Sequence, residues 1–122
     1  MIRRANEIRS FARGQGVEIK VLVEPEEIYE AGRLYAHITF EPGATIDFHN
    51  HLEEMESFYV IKGSAKVDDN GETTRLEEGD VMVTPAGYGH SVHNDGDKPL
   101  EMMALIVSCK QGFAGCSKEK RA

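Results

Sequence analysis

His49 and His51 stand two residues apart, and Glu56 follows five residues later. On a β-strand, side chains two apart point to one face, roughly 6.6 Å from each other along the chain. Two imidazoles so placed can converge on one ion. A carboxylate on a chain that returns alongside can add an anionic oxygen. Imidazole nitrogen and carboxylate oxygen are good ligands for first-row divalent metals. His90 lies in a second informative stretch, GDVMVTPAGYGHSVHN, and would have to arrive from a distant strand. Glu53 and Glu54 could be taken for an acid/base pair, but the simpler expectation is a solvated acidic turn. No phosphate-binding Gly-Lys-Ser loop, dinucleotide fingerprint or Gly-x-Ser-x-Gly elbow is visible.

The elements that must position these side chains read as short strands. Val17 to Val23 is rich in β-branched residues, and Leu34, Ala36, Ile38 and Phe40 alternate with Tyr35, His37 and Thr39. Glu41-Pro42-Gly43-Ala44 suits a type II turn, with Pro presetting φ and Gly accepting φ > 0. Asp69-Asn70-Gly71-Glu72 is a hairpin signal of type I′. Phe58 to Ile61, Val81 to Thr84 and Leu100 to Val107 complete the series, and only Pro25 to Ala31 suits a helical turn. Many short strands with regular turns mean an all-β sandwich or barrel, and spacing alone does not choose between them. Strand parity sets Phe58 and Val60 beside Glu56, and Val92 and Asn94 beside His90, with His93 turned away. His37 and Tyr35 fall opposite the apolar face, and a place beside a cavity is the alternative for them. Residues 1–16 are basic and irregular and read as an N-terminal arm outside the main fold. Residues 17–108 form the barrel, and 109–122 a polar tail.

Two stretches carry a family resemblance. The first runs Gly43, five residues, His49, one, His51, four, Glu56, six, Gly63; the second runs Gly79, five, Pro85, one, Gly87, two, His90, three, Asn94. Fifteen residues separate them. Both resemble the paired signature motifs of the cupin superfamily at every fixed position. The resemblance implies a double-stranded β-helix, a jelly-roll barrel. It implies that His49, His51, Glu56 and His90 ligate one divalent transition metal ion: manganese, iron, nickel, zinc, cobalt or copper. Three nitrogens and one oxygen leave two positions of a six-coordinate ion open for substrate, water or dioxygen.

Bulk properties bound the function. The chain has 122 residues, one ordinary domain, and a net charge of -7. An acidic surface repels nucleic-acid backbones and anionic membranes, whereas a metal ion with residual positive charge attracts a small anionic ligand. No apolar run reaches the roughly 20 residues of a membrane span, and the N-terminus lacks a secretory core, so the cytoplasm is expected. In that compartment Cys109 and Cys116 are expected as free thiols, a bridge between them being the alternative. The pattern is similar to small bacterial cupins related to oxalate-metabolising and dioxygenase-type members. It implies an enzyme acting on a small oxygen-rich, carboxylate-like substrate. A non-catalytic ligand sensor is the alternative, and a storage role a third. Small cupins commonly pair as homodimers through barrel sheets and an exchanged N-terminal segment, which residues 1–16 resemble.

Overall fold

The computed structural model describes residues 1–109. Its strands are β1 (Ser10–Ala12), β2 (Val17–Val23), β3 (Gly32–Phe40), β4 (Thr45–Asn50), β5 (Glu54–Lys62), β6 (Ala65–Asp69), β7 (Glu72–Leu76), β8 (Val81–Thr84), β9 (Gly89–His93) and β10 (Leu100–Ser108). Two short 3₁₀ turns, Ala5–Glu7 and Pro25–Ile28, are the helical elements among the described residues. A six-stranded sheet in the order β1-β2-β3-β10-β5-β8 faces a four-stranded sheet in the order β4-β9-β6-β7. Every pairing is antiparallel, and the two sheets make the double-stranded β-helix that the motifs imply.

The alternation read from the sequence becomes one core. Val17, Ile19 and Val21 of β2 meet Ala36, Ile38 and Phe40 of β3, Phe58 and Val60 of β5, and Met102 and Ala104 of β10. Their neighbours in the strands face outward, as a period of two requires. The turn chemistry also holds. Gly43 has φ 87°, and Ala44 N–H donates to the Glu41 carbonyl at 3.0 Å. Asn70 and Gly71 both take positive φ (53° and 100°), and Asp69 pairs with Glu72 across the hairpin.

Two expectations need correction. Residues 1–16 do not all lie outside the fold: Ser10, Phe11 and Ala12 pair with Lys20, Ile19 and Glu18 on the edge of β2. Arg3 donates to the Leu22 carbonyl at 2.8 Å and to Glu27 at 2.7 Å, and Arg9 holds Glu24 at 2.9 Å. The edge of β2 offers unpaired backbone groups, and residues 10–12 satisfy them without any apolar pattern of their own. The second correction concerns Cys109, which is disulfide-bonded rather than a free thiol. A reducing compartment favours free thiols in general but says nothing about local geometry. Cys116 and the rest of the expected tail lie outside the described residues.

Candidate metal centre

His49 owes its inward orientation to a bulge. Ile46 pairs with Val92 and His49 with His90, so three steps along β4 match two along β9. An unbroken ladder would have turned Phe48 inward with Ile46 and put His49 outside. The extra residue reverses this, as bulges near functional sites do. Phe48 is 53% exposed, and its ring lies across Gly89, where an added Cβ would collide with Phe48 Cζ. Asp47 and Phe48 have no register partners on β9, and the Asp47 carbonyl takes His49 Nδ1 at 2.8 Å. His51 follows β4 directly. Glu56 faces inward from β5 beside Phe58 and Val60, and His90 from β9 beside Val92 and Asn94.

The four side chains meet. Glu56 Oε1 is 3.0 Å from His90 Nε2, 3.7 Å from His51 Nε2 and 3.9 Å from His49 Nε2. Candidate ligand atoms of His49, His51 and Glu56 all lie within 4.8 Å of one another. The His49 ring stands edge-on to His51 and His90, with centroids 5.0 and 4.8 Å away. Donors sharing an ion at about 2.1 Å stand about 3.0 Å apart at a right angle and about 3.4 Å apart at a tetrahedral angle. The His90–Glu56 separation falls in that range, and those of His51 and His49 from Glu56 exceed it by about 0.3–0.5 Å. His49 Nε2, Glu56 Oε1 and His90 Nε2 are buried and lack hydrogen-bond partners. Leaving such a group unmet costs about 1–3 kcal/mol. Three of them aimed at one point fit a divalent cation.

The electrostatics agree. Burial pushes the Glu56 carboxyl up, but His49 and His90 beside it outweigh burial and hold it down at about 2. Glu56 in turn raises His49 against the opposing effect of burial. Burial lowers His51, with Arg33 adding to the shift and Glu56 opposing it. A ready anion with imidazoles around it is a donor set for a metal.

Other candidates fall elsewhere. His37 Nε2 contacts Glu101 at 3.0 Å on the outer face, and Tyr35 is exposed there, so neither lines the centre. His93 points away from His90 and meets Thr45 Oγ1 at 2.6 Å. Asn94 shares the inner face, but its side chain holds backbone: Nδ2 donates to the Phe40 and Lys98 carbonyls, and Oδ1 accepts from Gly96 N–H. Sequence reasoning missed Thr84, whose hydroxyl stands 2.7 Å from His90 Nδ1. It also set aside Glu54, which lies 3.4 Å from His51 Nδ1. Beside His51 a cleft of about 630 Å³ opens between Asn50, Leu52, Ser108 and Cys109.

A family model described as the cupin domain matches residues 36–107, more than half the chain. The chain belongs to the cupin family. Among relatives of this cupin, an oxalate-binding protein of Thermotoga maritima is 34% identical over 101 residues, covering 82% of this chain and 84% of the relative. The oxalate decarboxylase of Bacillus subtilis is 36% identical over 76 residues, which span 58% of this cupin but 20% of the enzyme. A crystal structure of a predicted oxalate decarboxylase from Thermotoga maritima matches with a TM-score of 0.79 and 31% identity, covering 88% of this cupin and 99% of that chain.

Proposed function

We propose that this cupin binds one divalent transition metal through His49, His51, Glu56 and His90, and uses the ion's open positions to hold a small carboxylate such as oxalate. The observation that carries the reading is the meeting of three orphaned, buried atoms, His49 Nε2, His90 Nε2 and Glu56 Oε1. A dication with one carboxylate ligand keeps about one positive charge. Arg13 adds to it electrostatically at His49, while the charge of Arg33 is met by Glu54 at 2.7 Å. In a chain of net charge -7, positive charge gathered at this centre favours an anion. The oxalate-binding relative supports the same ligand class. Calorimetric titration with oxalate, with and without metal, tests it. Binding that survives removal of the metal would refute it.

Turnover is the second reading, favoured by the similarity to an oxalate decarboxylase. The bound ion would supply Lewis-acid or redox chemistry. Carbon dioxide release or dioxygen uptake from metal-loaded protein with oxalate supports it, and binding without either leaves a sensor or carrier. Element analysis of protein from its natural source identifies the metal among manganese, iron, nickel, zinc, cobalt and copper.

Homodimerisation belongs to this proposal. Since residues 10–12 have a partner within the chain, it rests on the outer face of the larger sheet. Tyr35 is paired with Leu105, and Tyr59 with Val81; all four are exposed. Sedimentation as a monomer at micromolar concentration would refute it. No described helix is long and apolar enough to cross a membrane. A cytoplasmic setting is proposed with the Cys109 disulfide standing against it, and thiol counting in fresh extract decides.

A further inference from the structure

We propose that Glu54 readies His51 for the metal by taking the proton-bearing Nδ1 edge of its ring, and that Arg33 competes for that edge. This rests on the metal reading above. A neutral imidazole has one N–H and one lone pair. To ligate through Nε2, its proton must sit on Nδ1. At His49 the choice is made, because the Asp47 carbonyl can only accept, so Nδ1 carries the proton. At His90 the partner is the Thr84 hydroxyl, which serves either tautomer.

His51 is contested. Its Nδ1 stands 3.3 Å from Arg33 Nη2 and 3.4 Å from Glu54 Oε1. A guanidinium can only donate and a carboxylate can only accept. Bonded to Arg33, Nδ1 offers its lone pair and the proton sits on Nε2, facing Glu56 at 3.7 Å. No lone pair then remains for an ion. Bonded to Glu54, Nδ1 carries the proton and Nε2 is free. Arg33 Nε holds the other carboxylate oxygen, Oε2, at 2.7 Å, which keeps Oε1 beside the ring. Metal uptake thus moves the ring proton from Nε2 to Nδ1, with no net proton exchanged at His51. Three elements make the cluster: Arg33 from β3, Glu54 from the start of β5, and His51 just past β4.

The test measures zinc affinity by chelator competition in wild type, Glu54→Ala, Glu54→Gln and Glu53→Ala, with ¹⁵N spectra of the ring nitrogens. Glu54→Ala is expected to weaken zinc binding about 10–100-fold. Glu54→Gln, which keeps a neutral acceptor oxygen, falls between it and wild type and carries the test if the alanine variant does not fold. Glu53→Ala, at an exposed neighbour, stays within about twofold. In a His51→Ala background, Glu54→Ala has no further effect, as a direct coupling demands. The spectra place the His51 proton on Nδ1 in zinc-loaded protein. Wild type that binds zinc while both Glu54 variants match it overturns this assignment alone, as does the same loss without His51. Wild type that takes up no metal ion overturns the metal reading and this one with it.

Discussion

Asn94→Ala should cost this barrel more than most single changes while sparing the proposed metal binding. Asn94 is 1% exposed. Its Nδ2 donates to the Phe40 carbonyl at 3.0 Å and the Lys98 carbonyl at 2.9 Å, and its Oδ1 accepts from Gly96 N–H at 3.1 Å. Its backbone also ties the turn before β4: Gly43 N–H reaches the Asn94 carbonyl, and Asn94 N–H the Ala44 carbonyl. Alanine keeps the backbone bonds and deletes the three made by the side chain. At about 1 kcal/mol each, with more where a partner is left buried and unmet, the loss is about 2–4 kcal/mol. A chain of this size loses about 4 °C per kcal/mol, so the melting temperature should fall by about 8–16 °C. Asn94→Asp is the sharper variant. It keeps the shape and the acceptor, but faces two carbonyl oxygens with a carboxylate, so it should melt no higher than the alanine variant. Circular dichroism melts in chelating buffer measure both. Well below the melt, zinc affinity of the folded alanine variant should stay within about twofold of wild type. A fall of less than about 3 °C, or an aspartate variant as stable as wild type, would refute this account of Asn94.

Three further outcomes are expected. Thr84→Val preserves packing but leaves the buried His90 Nδ1 without its hydroxyl, so zinc affinity should drop about 10–100-fold, with Thr84→Ser restoring most of it; an unchanged affinity removes Thr84 from the centre. Zinc at 100 times its dissociation constant should stabilise wild type by about 2.7 kcal/mol, or roughly 10 °C, and a His49→Ala, His51→Ala double variant by nothing measurable. Metal affinity should fall with acid, because protons compete for the ligands. Glu56 raises His49 above its ordinary value, so this imidazole binds its proton at a higher pH and the loss begins above pH 6.5 as pH falls; affinity level down to pH 5.5 would contradict that sign.

What was legible in the chain was local or carried by fixed spacing. The Asn70-Gly71 hairpin follows from two residues that tolerate positive φ. The inward row of Glu56, Phe58 and Val60 follows from a period of two, as does the outward turn of His93. What stayed hidden depended on partners far along the chain. Residues 10–12 became a strand because the edge of β2 was available, and their own side chains are all exposed. Arg33, eighteen residues before His51, meets it only because β3 and the end of β4 are brought to one end of the barrel. Glu54 looked like one more acidic turn residue, since its contacts with Arg33 and His51 have no local signature. The bulge in β4 ran against the pattern. Ile46 and Phe48 alternate as an inward apolar pair should, and the fold breaks that alternation to admit His49.

That irregularity bears on transplanting the centre. Copying His-x-His onto another jelly roll would not suffice. An unbroken strand separates two inward side chains by an even number of residues, whereas here Ile46 and His49 are three apart. A recipient strand must therefore carry the surplus residue, together with a bare glycine opposite, like Gly89, over which the expelled ring can lie. The transferable unit is a length of backbone and the gap that receives it, and the imidazoles come second.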